Sequence, residues 1–173
     1  MQLTQCIKRA AQVDREGSAT IFAERRHTWS DFTARVSRLA GGLRELGVSE
    51  GDRVAMLALN SDRYLEYYFA IPWAGAVVVP MNIRWSPAEN AYSLNDSGAR
   101  VMIVDDAFAA MVPKILAQAT LDTLIYAGEG ETPDGMLNYE ALIADNAPAS
   151  DAERGGEDLA GIFYTGGTTG QHK

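Results

Sequence analysis

One cysteine, Cys6, and two histidines stand among the 173 residues. A single thiol excludes an internal disulfide, and it leaves no set of ligands at the spacing a structural zinc site needs. A reducing, cytoplasmic setting is the expectation. Basic residues are also few: 15 Lys and Arg face 23 Asp and Glu, for a formal net charge of -8. Nucleic-acid binding by counterion release needs clustered Lys and Arg, and without a basic stripe that class of partner is excluded. An anionic ligand must therefore find its donors in one place. Long apolar runs are missing too. Met1 to Gln12 is polar and reads as an amphipathic helix around Leu3, Ile7, Ala10 and Ala11, without the hydrophobic stretch of a signal peptide or a transmembrane segment. There is no internal repeat and no low-complexity tract.

With 47% hydrophobic and 22% charged residues, the chain has the balance of one globular domain with its own core. Ala19 to Ala23 and Arg26 to Trp29 read as a short hairpin turning at Glu24 and Arg25. Ser30 reads as the cap of a helix in which Phe32, Val36, Leu39, Ala40, Leu43 and Leu46 recur at helical spacing until Gly47 stops it. Val54 to Leu59 is a near-continuous apolar run, as in a strand buried on both faces. Next come a helix from Asp62 to Trp73 and a strand from Ala76 to Val79 that exits at Pro80 and Asn82. Ser86, Pro87 and Glu89 open the following helix with a capping hydroxyl, a proline at the first helical position and a glutamate that bonds back. Beyond Ser97 and Gly98, a strand at Val101 to Val104, a helix near Phe108 to Gln118, a strand at Leu124 to Tyr126 and a short helix at Tyr139 to Ala144 complete the series.

The alternation predicts an α/β fold, a layered and mostly parallel β-sheet flanked by helices, with a short β-hairpin near the N-terminus. Ligands of such sheets gather at the carboxyl ends of the strands. Residues 1–158 make the α/β subdomain, with a polar linker at 147–158. Residues 159–173 are expected to be a strand and a loop that begin the next part of the same domain.

That final segment differs from what precedes it. The apolar stretch Leu159 to Tyr164 runs into Thr165, Gly166, Gly167, Thr168, Thr169, Gly170, Gln171, His172 and Lys173. Glycines let the backbone turn tightly and bring N–H groups to an anion, threonine hydroxyls add donors, and a lysine adds a point charge. Those are the needs of a polyphosphate. The spacing fits neither G-x-x-x-x-G-K-[ST] nor G-x-G-x-x-G, so any phosphate loop here is of another class. By composition alone the run equally describes a plain flexible connection.

Its order is more selective. Tyr164 to Lys173 resembles the Y-T-[ST]-G-T-T-G-x-P-K signature of the adenylate-forming superfamily, which holds acyl-CoA synthetases, peptide-synthetase adenylation domains and luciferases. His27 to Val54 and Ala74 to Asp105, with A-G-A-V-V-V-P-M-N and L-N-D-S-G-A-R-V, agree in the same order. Two positions depart from the signature: Gly166, where Ser or Thr is common, and His172, where Pro is common. The missing hydroxyl at Gly166 is one donor, worth about 0.5 to 3 kcal/mol.

The resemblance implies ATP-dependent activation of a small carboxylic acid through an acyl-adenylate, followed by thioester formation with coenzyme A, as in a fatty or aryl acid–CoA ligase. ATP and Mg2+ are the implied cofactors and coenzyme A the co-substrate. By the same resemblance Thr165 contacts magnesium or phosphate, Gly166, Gly167, Thr168, Thr169 and Gly170 wrap the β and γ phosphates, and Lys173 neutralises the departing pyrophosphate. Thr165 and Lys173 are the implied catalytic residues. The superfamily's later adenine segment, its ribose-binding aspartate and its C-terminal domain with a catalytic lysine are absent from these residues. Residues 1–173 alone are therefore expected to be inactive and to self-associate through uncovered apolar surface that is not a physiological interface; a homodimer is a separate expectation for the protein. The end at Lys173 reads as a designed truncation or as cleavage in a mobile loop. Two alternatives stand beside this reading: a non-catalytic nucleotide-binding module, and an adenylation domain that loads a carrier protein.

Other candidates read as structure. Tyr64, Tyr67, Tyr68, Phe69 and Trp73 lie at helical spacing and are assigned to packing. Pro72 is expected to kink or end its helix, and His27 is read as a hairpin residue. Asp105 and Asp106 are expected to cap the next helix. Arg84 and Trp85, after a strand exit, are left open between substrate contact and surface packing.

Overall fold

In a computed structural model of the protein, which describes residues 2–165, the helices and strands alternate as the apolar spacing predicts. Helix α1 (Gln5–Val13) precedes the antiparallel hairpin of β1 (Ser18–Phe22) and β2 (Arg25–Thr28). Then come α2 (Trp29–Glu45), β3 (Arg53–Leu57), α3 (Asp62–Ala74), β4 (Val77–Pro80), α4 (Pro87–Ser97) and β5 (Val101–Val104). A short 3-10 turn (Ala109–Met111), α5 (Val112–Leu116), β6 (Thr123–Tyr126), β7 (Leu137–Asn138) and α6 (Tyr139–Asp145) follow. The five strands of the main sheet are ordered β4-β3-β5-β6-β7, and every neighbouring pair is parallel.

The central strands are apolar on both faces because helices cover both. Val54 and Met56 of β3, with Val101 and Ile103 of β5, pack in one core with Phe32, Val36 and Leu39 of α2 and Tyr67 and Ile71 of α3. Ala55 and Leu57, with Met102 and Val104, face the other way, into a second core with Leu94 of α4 and Val112 and Ile115 of α5. Period-2 side-chain alternation thus serves two cores at once.

Local chemistry sets most of the boundaries, with some shifts from expectation. The cap of α2 is Thr28, not Ser30: its hydroxyl accepts from the Asp31 N–H and the Asp31 carboxylate reaches back, a reciprocal box that satisfies two orphan donors. The box at Ser86 and Glu89 stands as predicted, and Gly98 ends α4 at φ 67°. Pro72 falls in the last turn of α3, which closes at Gly75 in the left-handed region. The helix expected near Phe108 to Gln118 is broken into a 3-10 turn and the five-residue α5. At two residues, β7 is too short to leave an alternating pattern in the sequence.

Residues 147–155 are not a free linker but a strap across the helices. The Ala149 N–H donates to Ser37 O at 2.9 Å, the Ala152 N–H to Trp73 O at 3.0 Å, and the Leu3 N–H to Arg154 O at 2.9 Å. The Trp73 indole N–H donates to Ala149 O at 2.9 Å, and Lys8 and Thr4 both meet Asp151 at 2.6 Å.

Candidate functional site

Parallel strands leave their polar groups and their connections at the carboxyl edge, so that edge positions any ligand. Along the outer side of β4, the Val78 N–H donates to Ala160 O at 3.2 Å and the Ile162 N–H to Val78 O at 2.9 Å, a single parallel bridge centred on Gly161. The strand expected over Leu159 to Tyr164 is thus confined to one rung. Continuing the ladder would require an N–H from residue 80, and Pro80 has none. Gly161 also permits the close approach, since a Cβ there would lie 2.7 Å from Val78 Cγ2.

The segment runs parallel to β4 and so leaves the sheet at its carboxyl end. There Tyr164 turns inward: its ring meets Trp85 edge-on at 6.3 Å, and its hydroxyl donates to Asp96 Oδ2 at 2.6 Å. Burial, then the Asp96 carboxylate, push the phenol of Tyr164 above its ordinary range, so it remains a donor. Trp85, left open by the sequence, is buried, and Arg84 is exposed. Thr165 is exposed at this edge. The other residues assigned to phosphate binding, Gly166, Gly167, Thr168, Thr169, Gly170 and Lys173, lie outside the described residues.

A second feature of the edge lies between β3 and β5, whose following helices pack on opposite faces of the sheet. At this switch point is a crevice of about 210 Å³ lined in part by Asn60, Ser61, Asp105, Asp106 and Arg63. Neither aspartate caps a helix as expected. Asp105 accepts from the Leu59 N–H at 2.7 Å and the Ala107 N–H at 3.1 Å, tying the exits of β3 and β5 together. Burial raises its pKa against those backbone donors. Asp106 instead clamps the loop after β6, taking the Tyr126 hydroxyl and the Glu129 N–H, which hold its carboxyl below the usual range.

Beside the crevice is a charged framework that sequence reasoning missed. The Asp62 carboxylate receives Nε and Nη2 of Arg25, both at 2.7 Å, and His27 lies 3.7 Å away. Arg63 bonds Glu140 at 2.9 Å and the carbonyls of Ala127 and Gly128 at 2.8 and 3.1 Å. Arg35 pairs with Glu66 and Glu140, and Tyr139 donates to Glu66 at 2.8 Å. Burial opposes ionisation of Asp62 and Glu140, yet the arginines outweigh it and both carboxylates sit below their usual range. A cleft of about 570 Å³ opens over Arg25, Arg35, Arg63 and Glu140. Because each guanidinium already meets carboxylates of this chain, the framework fixes the hairpin to the edge loops and leaves little attraction for an outside anion. The one sequence signal was the clustering of Asp62, Arg63 and Glu66 at the start of a helix that is otherwise mainly apolar and aromatic.

Among the described residues no group of three or more His, Cys, Asp or Glu could hold a metal ion. The Thr165 hydroxyl could offer a cation one oxygen, which suits a metal that arrives with most of its ligands on a nucleotide. Among the same residues no helix is long and apolar enough to cross a membrane.

The described residues form a doubly wound parallel sheet, and the Gly/Thr-rich sequence begins at Thr165, just past the segment that pairs with β4. The profile of the AMP-binding enzyme family matches residues 7–173, and the chain belongs to that family. A long-chain-fatty-acid–CoA ligase of Thermus thermophilus is 40% identical over 149 residues, 86% of this chain and 27% of the relative. A feruloyl-CoA synthase of an Amycolatopsis species is 40% identical over 146 residues, 84% of this chain and 27% of the relative. The crystal structure of an anthranilate–CoA ligase in complex with anthranoyl-AMP superposes with a TM-score of 0.92 at 27% identity, covering 99% of this chain and 33% of that one. The chain thus spans about a third or less of the length of these relatives.

Proposed function

We propose that these residues are the N-terminal part of an ATP-dependent acid–CoA ligase that acts on a fatty or aryl carboxylic acid. The observation that carries the reading is that the family match runs through Lys173, so the Gly/Thr run is part of what is shared. Support comes from relatives named for both fatty and aryl acids, each with coenzyme A as acceptor. That favours coenzyme A over a carrier protein, and catalysis over a silent nucleotide-binding module. A cytoplasmic setting, ATP and Mg2+ belong to the same proposal.

In the proposed reaction a carboxylate oxygen attacks the α-phosphorus of ATP, and the bond to the bridging oxygen breaks so that pyrophosphate leaves with the electron pair. The coenzyme A thiolate then attacks the acyl carbon and AMP departs. An ionised acid needs no base for the first step, so positioning and charge neutralisation carry it. Thr165 would orient a phosphate oxygen through its hydroxyl. The amides and hydroxyls of Gly166 to Gly170 would enclose the β and γ phosphates, and Lys173 would stabilise the charge that builds on the leaving group. Bound Mg2+ would neutralise phosphate oxygens, with Thr165 the described residue that could hold it.

The test is ATP–pyrophosphate exchange by the full-length protein with a panel of short, long and aromatic acids, and mass detection of the CoA thioester. Lys173→Ala should lower exchange by about 100-fold, the scale of one lost charge-stabilising donor. Failure of every acid to promote exchange, or an unimpaired Lys173→Ala enzyme, would overturn the reading.

A further inference from the structure

Past Ile162 the backbone has no ladder to hold it, because Pro80 ends the pairing. Phe163 is largely exposed and Thr165 is exposed, so Tyr164 is the side chain between them that turns toward the protein. It meets two fixed surfaces. Trp85 is buried, with its N–H donating to Asn82 O at 3.1 Å and its carbonyl accepting from Asn90 Nδ2 at 3.3 Å. Asp96 lies near the end of α4, a helix locked at one end by the Ser86–Glu89 box and at the other by Gly98.

We infer that Asp96 and Trp85, through Tyr164, position the root of the phosphate-binding run, which makes Asp96 a positioning residue for ATP although it lies 68 residues away in sequence. The inference rests on the proposed function and adds to it a residue outside the Gly/Thr run. The geometry is specific. A hydroxyl-to-carboxylate bond of 2.6 Å is charge-assisted and fixes the phenol along its length, while the edge-on ring at 65° to Trp85 fixes its roll. Together they set the backbone of Thr165, from which the run continues. A root held by two side-chain contacts is ordered before the ligand arrives, so less entropy is lost at that residue on binding. Tyr164 is thus the anchor, and Asp96 is what holds it.

The experiment uses the full-length protein with Tyr164→Phe, Asp96→Ala, Asp96→Asn and the Tyr164→Phe/Asp96→Ala double variant. Tyr164→Phe and Asp96→Ala should each raise KM for ATP by about tenfold, the scale of a lost charge-assisted hydrogen bond. The KM for the acid and kcat at saturating ATP should stay within about twofold, since only the nucleotide end is loosened. Asp96→Asn keeps an acceptor oxygen and should recover most of the loss. The double variant should be no worse than either single change, as for partners in one bond. Independently of turnover, amide hydrogen exchange across residues 160–173 of the unliganded protein should quicken by about tenfold in Tyr164→Phe. An unchanged KM for ATP in an active background, or KM values for ATP and acid that rise together with a loss of thermal stability, would overturn the inference. If the wild type activates no acid, the proposed function fails by itself; hydrogen exchange then decides the anchor, and unchanged exchange rejects it.

Discussion

The hydroxyl of Tyr67 reaches backbone groups of two neighbouring strands, β3 and β4. Beside it, the Val77 N–H reaches Asp52 O at 2.8 Å and the Met81 N–H reaches Met56 O at 2.9 Å, and between them the phenol bonds to the paired strands. It accepts from the Val79 N–H at 2.7 Å and donates to Val54 O at 2.8 Å. Both partners are buried, so Tyr67→Phe removes two buried hydrogen bonds and should cost about 1 to 3 kcal/mol, read as a lower urea midpoint. An unchanged midpoint would mean that the pairing of β3 with β4 satisfies both groups without the phenol. Helical spacing correctly assigned this tyrosine to packing. It could not say what the hydroxyl reaches, because that depends on which strands lie beneath α3. Glu66 and Arg63 escaped notice for the same reason: a charged residue on a helix reads as solvated until its partners are known.

At the scale of elements, the sequence read best where the determinant is a few residues away. The capping box at Ser86 and Glu89, the left-handed stop at Gly98 and the apolar strands are all local. The strap at 147–155 is not, and it explains a glycine in the middle of α2. A Cβ on Gly41 would lie 2.1 Å from Ala147 O, a backbone atom that cannot rotate away. Alanine is the better helix former by about 1 kcal/mol, yet Gly41→Ala should destabilise by about 1 to 3 kcal/mol because the strap must move. Urea unfolding would show the sign, and stabilisation would mean that the strap is loosely held. The single rung at Gly161 follows from an element too: Pro80 closes the β4 edge, and composition alone made Leu159 to Tyr164 look like a full strand.

Across the whole molecule the carboxylates decide how stability varies with pH. Asp31, Asp62, Asp106, Glu140 and Asp151 are all held below their ordinary values by donors in the folded state, whereas Asp105 is raised by burial. A depressed carboxylate binds fewer protons folded than unfolded, so its contribution is present above the unfolded value near pH 4 and is lost as pH falls through the folded one. Asp105 has the opposite sign, and five against one sets the direction. Urea midpoints should therefore hold from neutrality down to about pH 5 and drop below about pH 4; a flat profile from pH 5 to 3 would refute this. By itself the sequence determined the alternation of helices and strands and the parallel sheet they imply, because side-chain periodicity and i, i+3 capping are written within a few residues. Only the tertiary structure decided the bonds of the Tyr67 hydroxyl to β3 and β4, the arginine framework on Asp62, Glu66 and Glu140, the strap over Gly41 and the grip of Asp96 on Tyr164. A polar group must find its partner wherever docking places one, and these partners lie from 12 to 106 residues away along the chain.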